Sequence, residues 1–168
     1  IQHTNEVYRA TNSILVAIVN QETGLRGYLI AGKEEFLDPY RDGIKAYEAG
    51  LAKVKELTAD NPAQQQRLVA LDEQAKAWRA NIAEKEIALM RSAASSEQAR
   101  ELEAQGAGKA YMDNIRGTIG DIQETERTLM AARSADGDTA VSTSDWLNMG
   151  GLIGLTGFAL FGGFALYH

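Results

Sequence analysis

Apolar residues recur along most of this chain at intervals of three and four, the spacing that lines one face of an α-helix. Val7, Ile14, Ile18 and Leu25 set such a seam between about Thr4 and Ala31. A second seam, Leu37, Tyr40, Ile44, Tyr47, Leu51 and Val54, predicts a helix over about 34–58. Asn61-Pro62 then supplies a capping side chain and a proline suited to the first helical position. The third helix is expected to reach about Ser92 through Leu68, Leu71, Ala75, Trp78, Ile82 and Leu89. A fourth is expected from Ser95-Ser96-Glu97 to about Arg133, through Met112, Ile115, Ile119, Ile122 and Leu129 and with Gly106 to Gly108 inside it.

Each seam repeats near every 3.5 residues, which suits helices crossing at about 20° in a bundle. The links near Gly32, Asn61 and Ala94 are short, and short links make neighbouring helices antiparallel. The expected fold is therefore all-α: an up-down-up-down antiparallel four-helix bundle over residues 1–133.

The pattern changes at the end of the chain. From Trp146 to Tyr167 no residue is charged, and a helix of that stretch spans roughly 33 Å, the thickness of a bilayer's hydrocarbon core. Trp146 and Tyr167 stand at its ends, where amphipathic rings favour the membrane interface. A C-terminal transmembrane helix over 146–167 is the reading. Gly150 and Gly154, then Ala159 and Gly163, have the small-xxx-small spacing that lets membrane helices approach closely. Residues 134–145 carry Asp136, Asp138 and Asp145 but no Lys or Arg, and read as a juxtamembrane linker or an extension of the fourth helix.

Composition narrows the function. The 168 residues carry a net charge of −6, with no basic stripe to neutralise phosphates, so a nucleic-acid partner is not expected. There is no cysteine, hence no disulfide or thiolate chemistry. His3 and His168 lie at opposite ends, no Glu-x-x-His occurs, and no phosphate-loop pattern is present. No catalytic residue, metal or cofactor is expected, and the chain does not read as an enzyme. Its abrupt start at Ile1 reads as a trimmed or processed N-terminus.

The informative positions are those where a seam turns polar. The run Glu22-Thr23-Gly24-Leu25-Arg26-Gly27-Tyr28-Leu29 places charge and glycine where the apolar pattern should continue. Glu22 and Arg26 can pair at i,i+4. Two mid-helix glycines cost on the order of 1 kcal/mol each, which close approach of a neighbouring helix would offset. Glu126 and Arg133 fall on the seam of the fourth helix, and Lys85 on that of the third. Two readings stand: the charges fix register as buried pairs, or they line a small-ligand pocket with Arg26 and tyrosines.

The run from Glu22 to Leu29, followed by Gly32, Glu35-Phe36-Leu37 and Pro39-Tyr40, resembles the signature of the CHASE type III domain, a cyclase/histidine-kinase-associated sensory extracellular domain. Gly108-Lys109, Met112-Asp113, Ile115-Arg116, Glu126 and Leu129 to Arg133 are similar to its last helix. The resemblance implies a homodimeric receptor of the bacterial inner membrane, with the bundle on the periplasmic side between two membrane helices. A histidine kinase, diguanylate cyclase or chemotaxis module would lie beyond them. It implies an unknown small molecule or periplasmic protein as stimulus. Glu22, Thr23, Gly24, Arg26, Gly27, Tyr28, Pro39 and Tyr40 transfer as signature positions, and with Glu126 and Arg133 they are the expected signalling layer. The rival reading is a bundle that spaces or docks a partner without sensing.

Overall fold

The computed structural model describes residues 2–132, which are helical apart from short turns and include no strand. Helix α1 is Gln2–Ala31 and α2 is Asp38–Leu57. Helix α3 is Pro62–Trp78, and a π-helical turn, Arg79–Ala83, carries it into α4, Glu84–Met90. Helix α5 is Ser96–Ala104, and α6 is described over 107–132. Two compact units divide the chain, Ile1–Arg127 and Thr128–His168; the packing below is that of the first. Among the described residues no helix is long and apolar enough to cross a membrane. The expected transmembrane helix over 146–167, with Gly150, Gly154, Ala159 and Gly163, lies outside them, as do residues 134–145 and Arg133.

Helix ends follow local chemistry. Gly32, at φ +67°, takes the left-handed conformation after α1, and its N–H donates to the Tyr28 carbonyl at 2.8 Å. Asn61 caps α3, its Oδ1 accepting from the Gln64 N–H at 3.2 Å, with Pro62 just inside.

Three expectations need correction. The second helix does not begin at Glu34: Glu34–Leu37 is a 3-10 turn, and α2 starts at Asp38, with Pro39 in its first turn. The expected fourth helix is two helices. Gly106 has φ +70°, a conformation that ends a right-handed helix, so α5 and α6 are separate. Lys85 is exposed, and Glu86 is the buried residue. The π-turn explains this: Glu84 N–H bonds the Arg79 carbonyl five residues back, so one extra residue enters the turn and the inward face slips by one position.

Neighbouring rods run antiparallel. Against α1, α6 descends as α1 ascends: Gln123 Nε2 donates to Asn12 Oδ1 at 3.0 Å, while Arg116 bonds Glu22 at 3.1 Å. Against α3, Gln64 Nε2 donates to the Ile122 carbonyl and Thr118 Oγ1 to Gln74 Oε1, each at 3.0 Å. Gln65 Nε2 ties α3 back to the Lys55 carbonyl of α2 at 3.0 Å. Between the rods lies one apolar core, with Ile14, Ile18, Tyr47, Leu68, Trp78, Met112, Ile115 and Ile119 all at 2% exposure or less.

Helices α1 and α2 approach most closely, and glycines permit it. A Cβ on Gly24 would stand 2.6 Å from the Tyr40 nitrogen, one on Gly43 2.7 Å from the Ala17 carbonyl oxygen, and one on Gly50 2.9 Å from Ile14 Cγ1. Gln21, fully buried, donates to the Gly43 carbonyl at 3.0 Å, a bond that the missing side chain leaves open.

Candidate functional site

The segment Glu22 to Leu29 presents three faces, one for each class of residue it contains. Leu25, Tyr28 and Leu29 enter the core. Gly24 and Gly27 meet the chain that turns into α2: Gly24 faces Tyr40 and Phe36, and a Cβ on Gly27 would lie 3.0 Å from Phe36 Cδ1. Glu22 and Arg26 face α5 and α6. Thr23 and Pro39 are exposed. Close helix approach is therefore what offsets the two glycines.

The charged face is a network. Arg26 bonds Glu22 at 3.1 Å and Glu103 of α5 at 2.6 Å. Arg116 of α6 bonds the second Glu22 oxygen at 3.1 Å. Arg100 Nε donates to the Leu29 carbonyl at 3.0 Å, tying α5 to the end of α1. A groove of about 510 Å3 lies between α1 and α5, lined by Arg26, Leu29, Ile30, Arg100, Glu103 and Ala104. The groove is thus an apolar channel with cationic groups and one carboxylate at its wall.

Glu86 is fully buried, and neither carboxylate oxygen has a hydrogen-bond partner among the described residues. Burial pushes its carboxyl up to about 7; the Glu103 charge adds to this, and Arg26 opposes it. Glu86 therefore lies within the electrostatic reach of the Arg26–Glu103 pair. On the other side of the same rod, the Tyr40 hydroxyl donates to Glu84 Oε1 at 2.6 Å and its ring meets Trp78 edge-on at 6.4 Å. Burial first, and then that bond, push the Tyr40 phenol above its ordinary range.

Glu126 stands apart from Glu22 and Arg26. It is buried on α6 and accepts from Gln64 Nε2 of α3 at 3.0 Å, three residues beyond Gln123, whose side chain meets Thr11 and Asn12. It joins a different layer, one that fixes the register of α6 against α3. Tyr28 and Tyr40 are both buried with Gly24 at the crossing of α1 and α2. Sequence reasoning missed Gly43 and Gly50, although two glycines one heptad apart on a seam are a readable sign of close packing. It also missed Glu86, Arg100 and Glu103. No group of His, Cys, Asp or Glu able to hold a metal occurs among the described residues.

Polar residues thus tie one helix of this domain to the next, and an ion network stands beside the groove between α1 and α5. Residues 1–136 match the family model of the CHASE3 domain, and the chain belongs to that family of extracellular sensory domains of membrane receptors. In fold it is similar to the sensor domain of the Rhodopseudomonas palustris histidine kinase HK9, at a TM-score of 0.68 and 23% identity. That likeness covers 76% of this chain and 98% of the sensor domain. No curated protein matches the sequence.

Proposed function

We propose that residues 1–133 are the periplasmic sensor of a bacterial inner-membrane receptor, an up-down-up-down four-helix bundle. Residues 134–145 link it to a membrane helix over 146–167. The fold shared with a histidine-kinase sensor domain favours a histidine kinase as the output over a cyclase or chemotaxis module. The receptor works as a homodimer, with Gly150, Gly154, Ala159 and Gly163 as packing positions of its membrane helices. This chain senses and transmits; catalysis belongs to the effector.

The observation that carries the reading is the network of Glu22, Arg26, Glu103 and Arg116, which joins α1, α5 and α6 beside an open groove. A small molecule or periplasmic protein engaging that groove competes for Arg26 or Glu103 and so changes how α6 is held against α1. Helix α6 then moves by a small step between discrete packings, the kind of motion packed helices support. The signature residues Gly24, Gly27, Tyr28, Pro39 and Tyr40 hold α1 and α2 as a fixed partner against which α6 moves. Thr23, exposed beside them, is a signature position to which we give no part in the movement.

The test uses a full-length receptor in which any cysteine outside these residues, which hold none, is replaced by serine. Cysteines replacing Asn12 and Gln123, bridged by a short bifunctional thiol reagent in the full-length receptor, fix α6 to α1. Bridging is expected to clamp the output at a level different from that of either single replacement. Equal output with and without the bridge contradicts the mechanism.

A further inference from the structure

Glu86 takes no part in the groove or in the ion network, yet the fold sets it directly behind both. Ile82, Glu86 and Met90 follow one another at intervals of four and are all buried, so they share one face of their rod. Contacts fix the two ends of that face. A Cβ on Gly108, at the start of α6, would stand 3.4 Å from Ile82 Cγ2, and one on Gly32, just past α1, 3.6 Å from Met90 Cε. Helix α5 joins the end of α4 to the start of α6 and packs against both α4 and α1. It therefore passes along the face of which Glu86 is the middle residue.

Height along the bundle follows in the same way. Helices α1 and α4 run in the same direction, with Gly32 level with Met90. Six residues back from Gly32 stands Arg26, and four back from Met90 stands Glu86. Glu103 of α5 is at that height too, since it bonds Arg26 at 2.6 Å. The side chains of Arg26 and Glu103 are 53% and 27% exposed, whereas Glu86 is wholly buried, so Glu86 lies on the inner side of their bond.

Few charges face it. Arg26 of α1 favours its ionised form and Glu103 of α5 opposes it. Arg100 of α5 is turned to the Leu29 carbonyl and Glu97, and Arg79 of the π-turn to the Tyr47 ring. On its own helix Glu84 is turned to Tyr40, and Lys85 is exposed. Neither Glu86 oxygen has a hydrogen-bond partner among the described residues. Protonated, the group leaves unsatisfied polar atoms in the core; ionised, it leaves a bare charge there, which costs far more. The element that covers it is weakly held. Helix α5 has nine residues, Ala99 is its buried one, and the bonds from Arg26 to Glu103 and from Arg100 to Leu29 tie it to α1.

We propose that Glu86 is a proton-controlled latch beneath α5. With the proton on, α5 closes against α1 and α4. With it off, the buried charge repels Glu103, draws Arg26 and water inward, and releases α5. Burial puts that exchange at about 7, so the latch opens as pH rises through that value. The latch regulates the Arg26–Glu103 contact of the sensor reading, and rests on that reading only for its link to output.

The test is amide hydrogen exchange of the full chain in detergent micelles at pH 5 and pH 8, with rates corrected for the pH dependence of intrinsic exchange. The rise of the Glu86 carboxyl from 4.5 to about 7 favours opening by up to about tenfold per pH unit between those values. Protection over 96–104 is therefore expected to fall by about tenfold or more at pH 8, while protection over 40–54 of α2 holds. Glu86→Gln has no carboxyl proton to lose and should keep α5 protected at both pH values. Glu86→Met, apolar and of similar length, serves if Glu86→Gln does not fold. Equal protection of α5 at both pH values in the wild type overturns the latch, as does a pH step that persists in the variant. Output of the full-length receptor separates the two readings: release of α5 at pH 8 without a change of output upholds the latch and contradicts the sensor mechanism.

Discussion

A carboxylate taken out of water without a partner lowers its cost by keeping its proton, and Glu86 is held in that condition. Its folded carboxyl titrates at about 7, against an ordinary value of 4.5, because burial disfavours the charged form. Between those two values the folded chain holds a proton that the unfolded chain has released. Stability from this group is therefore full below pH 4.5 and falls as pH rises toward 7, by about 3 kcal/mol at ~1.4 kcal/mol per unit. Glu86→Gln removes that titration. Urea midpoints at pH 5 and pH 8 should show the variant gaining on the wild type at the higher pH, and parallel behaviour at both would contradict the assignment. The sequence made Glu22 and Arg26 legible as a pair because both stand on one helix face, four apart. Glu86 was not legible. A uniform helical period puts Lys85 inward, and only the inserted residue of the π-turn brings Glu86 to that place. Glu103 and Arg116 were equally hidden as partners, since their contacts with Arg26 and Glu22 cross 77 and 94 residues and have no local spacing to betray them.

At the scale of elements, the crossing of α1 and α2 explains the glycines of the signature. Gly24 and Gly27 admit the chain that turns into α2, and Gly43 and Gly50 extend the contact along it. Gly117 and Gly120 on α6 differ: a Cβ at either meets nothing within 4 Å. Gly24→Ala should therefore cost about 1–3 kcal/mol, because backbone atoms must move. Gly117→Ala should gain about 0.5–1 kcal/mol by relieving the chain entropy of a helical glycine. Denaturant midpoints of the two variants test both signs, and a destabilised Gly117→Ala would contradict this account. Cap chemistry at Asn61-Pro62 and the short link near Gly32 were readable because they are local. The break between α5 and α6 was not read, because an isolated glycine inside an apolar seam does not announce a left-handed conformation. The dihedral at Gly106 does.

At the scale of the whole molecule, the amphipathic seams gave helical rods with antiparallel neighbours, but not the division of the fourth into α5 and α6. Heptad-like spacing sets which face is buried except beyond the π-turn at Arg79–Ala83, and short links leave one direction for each successive rod. The charged contacts between rods then select register within that arrangement, Gln64 with Glu126 near one end and Glu22 with Arg116 toward the other. Membership of the CHASE3 family places such a domain outside the cell, on a membrane receptor. The central claim is that this bundle stands on the periplasmic face, tied through α6 to an anchor in the bilayer. These residues hold no cysteine, and in a full-length receptor with any cysteine elsewhere replaced by serine one measurement is direct. Lys45, 77% exposed at its side chain, is replaced by cysteine in the full-length receptor, and cells with a permeabilised outer membrane but an intact inner membrane are treated with a membrane-impermeant maleimide. The account predicts labelling of Lys45→Cys in those cells as complete as that after lysis. Labelling only after lysis would contradict it.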